Sequence, residues 1–132
     1  MTEVTYFERL DVPECLHLLR TGGVGRVAWQ DDAEGLTVLP VNYRVIGDSV
    51  VFRTSAASTL ARLAKPTRVA FQVDEIDHAT AVGWSVLVRG MSDICEGRDV
   101  GSFLPRDPAI GVAVRIEEVT GRVMSGNPVP QS

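Results

Sequence analysis

The residues best suited to chemistry in this chain lie between Leu36 and Thr59, in LTVLPVNYRVIGDSVVFRTSAAST. Gly47-Asp48 is a two-residue loop that asks for positive φ, and the alternating apolar residues around it predict a β-hairpin. Such a loop fixes register: Ile46 faces Ser49, Val45 faces Val50, Tyr43 faces Phe52, Asn42 faces Arg53 and Val41 faces Thr54. Side chains alternate, so Val41, Tyr43, Val45, Val50 and Phe52 share a core face. The other face sets Asn42 beside Arg53, next to the break that Pro40 makes in its strand. Ser55 or Ser58 then opens a predicted helix running to Lys65, whose unpaired N–H groups and dipole favour an anion. Asn42, Arg53, Thr54, Ser58 and Thr59 are therefore candidate polar groups around a phosphate, with Trp84 as a flat apolar partner.

Other chemistries find no support. There is no G-x-S-x-G elbow, Walker loop or paired-carboxylate site. GGVGR at Gly22 to Arg26 resembles a piece of a dinucleotide fingerprint but follows a helix instead of a strand. His17 and His78 each stand alone, and Cys15 and Cys95 sit in no metal or redox spacing. No catalytic side chain and no metal site is predicted. A net charge of -4 gives no electrostatic footprint for nucleic acid or an anionic membrane. No apolar run is long enough to span a bilayer, and MTEVTYFERLD lacks the order of a signal peptide, so a cytoplasmic location is expected.

The elements that must position these groups are short. At 132 residues the chain fits one domain, with a core over Asp11 to Met124 and a polar tail, residues 125–132. Met1 to Leu10 reads as a lead-in. Asp11 and Glu14 form a capping pattern with Pro13 in the first turn of a helix, which Gly22-Gly23 closes. Strands are predicted over Val24 to Trp29, the two hairpin arms, Arg68 to Asp74, Gly83 to Cys95 (kinked at Gly90), Gly111 to Ile116 and Val119 to Met124. Glu75 to Val82 is a polar connection, and Glu96 to Ile110 is a loop with one helical turn around Val100 to Leu104. So many closely spaced strands leave no room for βαβ crossovers. They predict a mainly β, antiparallel, closed or nearly closed barrel with small helices.

ECLHLLRTGGVGRVAW, LPVNYRVIGDSVVFRTSAAS, FQVDEID, GWSVLVRG and TGRV, in this order, resemble the pyridoxamine 5′-phosphate oxidase-related flavin-binding proteins. The nearest branch is the small group that includes the nitroimidazole reductase-like proteins, and the likeness covers Asp11 to Val123. The resemblance implies a split β-barrel of Greek-key-like type that forms a homodimer, with each FMN held by both chains at the interface. The backbone of Leu39 to Tyr43 would border the isoalloxazine ring, with Val41 and Asn42 closest. Arg53, Thr54 and Ser58 would hold the ribityl phosphate, and Trp84 and Ser85 would reach the ring from a facing strand or the partner chain.

One position departs from the family pattern. Thr59 stands where many relatives carry Lys. Losing that charge-assisted contact weakens phosphate binding by roughly 1.5–3 kcal/mol. Arg62, at i+3, is spaced to reach back in its place. Relatives also use the deazaflavin F420, haem or no firmly bound cofactor. Two readings follow: an FMN- or F420-dependent oxidoreductase acting on a small molecule, or a flavin- or haem-binding carrier or cofactor-free interaction module.

Overall fold

Period-2 alternation of apolar residues dominates the chain, and strands follow from it. The computed structural model describes residues 6–95 and 109–125. The helical turn expected over Val100 to Leu104 and the tail beyond Ser125 lie outside the described residues. The elements are β1 (Tyr6–Leu10), α1 (Val12–Thr21), β2 (Val24–Asp31), β3 (Gly35–Asn42), β4 (Arg44–Ile46), β5 (Ser49–Ser55), a 3-10 turn (Thr59–Ala64), β6 (Thr67–Asp77), β7 (Val82–Cys95) and β8 (Ala109–Ser125).

All strand pairs are antiparallel, in the order β3-β2-β6-β7-β8-β5-β4, with β1 added to β8. β6, β7 and β8 are consecutive neighbours, and β5 returns to lie beside β8, which is a Greek-key arrangement. The sheet curls until β3 and β5 approach each other without pairing. The result is a split β-barrel.

Its interior is filled by the inward rows of five strands. Val27, Phe52, Phe71, Val86, Val88, Val112 and Val114 have no exposed surface, each burial contributing about 1.5–3 kcal/mol. Val41, Tyr43 and Val50 are buried as the hairpin pattern predicts, and Val45 packs against them. Helix α1 caps one end of this core. Asp11 accepts the Glu14 backbone N–H at 2.9 Å, and Cys15 and Leu19 are fully buried. The glycine that ends α1 is needed for space and not for a left-handed turn. Gly22 has φ −77°, but a Cβ there would lie 2.3 Å from the Tyr43 hydroxyl.

Four expectations change. The lead-in is a strand, because Tyr6 to Leu10 pairs with Ser125 to Gly121. The last two predicted strands are one, since a bulge absorbs Glu117: Arg89 faces Glu118 while Gly90 faces Ile116. Gly90 marks this irregularity, and a Cβ there would lie 1.7 Å from the Arg115 carbonyl oxygen. β6 extends to Asp77, whose carboxylate caps the following turn by accepting the Ala79 N–H at 2.8 Å. The helix expected from Ser55 shrinks to a six-residue 3-10 turn, because Ser55 still pairs with Ala109 in β5.

Candidate functional site

Register decides what the hairpin can hold. Gly47 has φ +60°, and Ile46 faces Ser49 and Val45 faces Val50 as expected. The ladder continues only to Arg44 and Val51. Beyond it the two arms part, because β3 pairs with β2 instead, and Asn42 lies opposite Val24. Asn42 and Arg53 are therefore not cross-strand neighbours, contrary to the hairpin reading. Tyr43 is the point of divergence. Its backbone N–H donates to the Gly23 carbonyl at 3.0 Å, and its hydroxyl donates to the Leu19 carbonyl at 2.6 Å.

This parting leaves a seam. Among the described residues, β3 is paired on one side only, and Phe52 to Ser55 of β5 pair with β8 but not with β4. Leu39 and Val41 point into the barrel from β3, Val41 buried and Leu39 half-buried, while Asn42 is exposed. Across the seam, Arg53 lies on the outer face of β5 opposite Gly111, and Thr54 points inward opposite Ile110. The Thr54 and Ser58 hydroxyls share a hydrogen bond of 2.5 Å. Ser58 occupies the N-cap position of the 3-10 turn, yet its side chain caps no N–H; it serves Thr54 instead. Thr59 follows, half-buried. Seven predicted residues thus flank one seam: Leu39, Val41, Asn42, Arg53, Thr54, Ser58 and Thr59.

Trp84 and Ser85 lie elsewhere. Trp84 points inward against the core, opposite Glu75 and Val123. Ser85 points outward, opposite Asp74 and Arg122, and its hydroxyl accepts the Gln72 amide at 3.1 Å. On β8, the partner of Arg53 is Gly111 and the partner of Ser85 is Arg122. Their separation corresponds to about 35 Å of extended strand. One chain does not bring the two groups together.

Sequence reading missed a second polar centre. Asp31 is buried at the end of β2 and accepts from the Trp29 indole at 3.2 Å, Ala33 N–H at 3.1 Å and Glu34 N–H at 3.0 Å. The Arg62 guanidinium completes the set, so Arg62 is committed to Asp31 and does not reach back toward Thr59. Burial alone would raise the Asp31 pKa. The backbone N–H of Glu34, the indole, the Ala33 N–H and the Arg62 charge outweigh it and hold the carboxyl below its ordinary value. A cleft of about 800 Å³ opens beside this centre, lined by Trp29, Asp31, Arg62 and Lys65. The acidic turn after Trp29 was the available signal, but nothing in the sequence tied it to Arg62, 31 positions away.

Among the described residues, no three His, Cys, Asp or Glu side chains gather as metal ligands. Cys15 is fully buried in the core, and burial, with Asp11 and Glu14 nearby, pushes its thiol pKa up.

Similarity to known structures agrees with the barrel. An FAD-binding protein from Mycobacterium smegmatis superimposes with a TM-score of 0.78 at 26% identity, covering 89% of this chain and 98% of that one. An FAD-binding protein from Mesorhizobium loti gives 0.73 at 24% identity, over 92% and 99% of the two chains. An FAD- and haem-binding protein from M. smegmatis gives 0.70 at 16% identity, over 92% and 75%. The last two identities are low enough to speak for the fold alone. No curated protein matches the chain. The profile of the pyridoxamine 5′-phosphate oxidase family matches residues 11–100, more than half of the sequence, and the chain belongs to that family.

Proposed function

We propose that this protein is a homodimeric flavin-dependent oxidoreductase acting on a small molecule, with FMN as the cofactor and F420 as its nearest alternative. The observation that carries this reading is the seam, where the edges of β3 and β5 part beside the Thr54–Ser58 hydroxyl pair, the residue next to Arg53 in β5 contributing one hydroxyl. A flavin phosphate needs a cation and short donors, and Arg53, Thr54 and Ser58 supply them. A planar ring needs a flat, dry margin, which the Leu39 to Tyr43 backbone offers with Val41 closing the interior behind it. The residues fit the group. When bound, the flavin supplies the redox chemistry; the protein orients it and excludes water.

A second copy of the chain supplies what the seam lacks. Leu36 and Val38 are exposed at 85% and 60%, adjacent on the outer face of β3, and Val24, exposed at 60%, lies at the far end of the same face on β2, opposite Asn42. Aliphatic side chains clustered on one sheet face are suited to burial against another subunit. In such a dimer, the outward-facing Ser85 of the partner approaches the seam that holds Arg53. This removes the separation along β8 that one chain cannot bridge.

A second reading, a flavin- or haem-binding carrier or a cofactor-free interaction module, is favoured by one observation. Thr59 brings no charge, and Arg62 is occupied by Asp31. Phosphate affinity then rests on fewer cations than in relatives with Lys. Absorption spectra of the purified protein separate the readings. A flavin band that dithionite bleaches, on a species of dimer mass, supports the first. A colourless protein that takes up neither FMN, F420 nor haem at micromolar concentration overturns it.

A further inference from the structure

The 3-10 turn from Thr59 to Ala64 is held differently along its length. Its exit is fixed where the Lys65 carbonyl accepts the Thr67 hydroxyl at 2.8 Å and the Ser92 hydroxyl at 3.3 Å. Leu63 is fully buried and Leu60 packs against the core, so one edge of the turn lies on the barrel. A 3-10 helix has three residues per turn, which eclipses side chains at i and i+3. Thr59 and Arg62 therefore share a second edge, beside the one that carries Leu60 and Leu63. The Arg62 guanidinium donates to Asp31, whose other bonds come from the Trp29 indole and the backbone after β2. So held, Asp31 is a rigid anchor, and its grip on Arg62 sets the rotation of the turn about its axis. Thr59 turns with it.

The entrance of the turn is different. Ser58 caps no N–H, and its hydroxyl is bonded to that of Thr54. The two hydroxyls carry two protons between them, and the bond they share uses one. A phosphate that takes a donor from each must break that bond, which loosens the entrance just when its position matters. We infer that Arg62 is a positioning residue for the anion site: through Asp31 it holds the Ser58–Thr59 segment in place while the Thr54 and Ser58 hydroxyls turn to the phosphate. This role rests on the flavin reading of the seam. Arg62 does not itself touch the phosphate; it acts through the Asp31 carboxylate. A positioning residue and a direct ligand differ in sign at Asp31. If Arg62 were a ligand held in reserve, removing the Asp31 charge would release it to the phosphate and tighten binding. If Arg62 positions Ser58 and Thr59, the same change loosens them and weakens binding.

Fluorescence titrations of the full chain with FMN and with riboflavin, which lacks the phosphate, test this role. The ratio of the two affinities reads the phosphate contribution, whereas general loosening of the fold moves both ligands together. In Arg62→Gln the ratio should fall by about tenfold, with riboflavin affinity unchanged. Arg62→Lys keeps a cation for Asp31 and should recover most of the loss. Asp31→Asn should lower the ratio in the same direction, and the double variant should lose no more than either single one. Thermal melts show that each variant is folded at the titration temperature. The Arg62 side chain is 48% exposed, so Arg62→Gln keeps the test decisive even where Asp31→Asn is unstable. FMN binding by the parent with an unchanged ratio in Arg62→Gln, or with a ratio that rises in Asp31→Asn, overturns the positioning role alone. A parent that binds neither ligand, or binds both equally, overturns the flavin-phosphate reading and this role with it.

Discussion

The Tyr43 hydroxyl donates to the carbonyl oxygen of Leu19, 2.6 Å away and buried, which ties the end of helix α1 to the point where β3 and β4 separate. The Tyr43 ring also meets Phe71 edge-on, with centroids 4.7 Å apart. This residue anchors the point of divergence to α1, while pairing with β2 draws β3 away from β5. Removing the hydroxyl in Tyr43→Phe leaves a buried carbonyl unpaired, at a cost of about 1–3 kcal/mol, read as a lower urea midpoint with unchanged slope.

The same residue makes a pH prediction. Burial raises the Tyr43 pKa to about 12 from an ordinary value near 10. A group whose folded pKa is raised stabilises the fold below the unfolded pKa, and that stabilisation is lost as pH rises through the folded value. The stability advantage of wild type over Tyr43→Phe should therefore be full at pH 8 and shrink between pH 10 and 12. Denaturant melts of the two proteins across that range check it; a gap that widens with pH contradicts the assignment.

Asp31 predicts the opposite limb. Its carboxyl is held below its ordinary pKa, so it stabilises the fold above the unfolded value near 3.8 and loses that effect as pH falls through the lower folded value. Asp31→Asn should lower the melting temperature at pH 7, and the difference from wild type should narrow on acidification. Asp32→Asn, an exposed neighbour, should change little.

Position 59 tests the phosphate assignment by gain and not by loss. Thr59→Lys adds a cation beside the proposed phosphate position and should tighten FMN binding by about one to two decades. Arg53→Ala should weaken it while the dimer persists. Fluorescence titration with FMN measures both. Unchanged affinity in both variants would remove the phosphate from this end of β5.

The proposed subunit interface has its own test. Leu36→Asp with Val38→Asp places two carboxylates in the exposed aliphatic row of β3 and should convert the dimer to monomer in analytical ultracentrifugation. A dimer that survives both substitutions lies on another face.

Much of this architecture was legible from local chemistry, and the gaps have physical causes. The Gly47-Asp48 turn gave the correct pairing of Ile46 with Ser49, because a two-residue loop leaves no slack. It could not say how far the ladder runs. That is settled by competition from β2, which captures Asn42, and by the contact of Tyr43 with α1. Arg62 was read as a reserve phosphate ligand since Thr59 is close in sequence, but Asp31 is closer in space. The core positions of the hairpin followed from alternation alone, whereas the bulge that makes β8 one strand depends on a carbonyl of Arg115 pressed against Gly90, a tertiary contact without a sequence signature.

β8 touches β5 through one half, β1 through the other and β7 along nearly all its length. Every one of those ladders waits for a segment translated after all the others. During synthesis the earlier strands emerge with their edges uncovered, and long-range pairing of this kind is slow to form. A ribosome stalled before residue 109 would thus carry a polypeptide unable to complete its barrel, exposed to holdase chaperones and to edge-to-edge association with its neighbours on the same message.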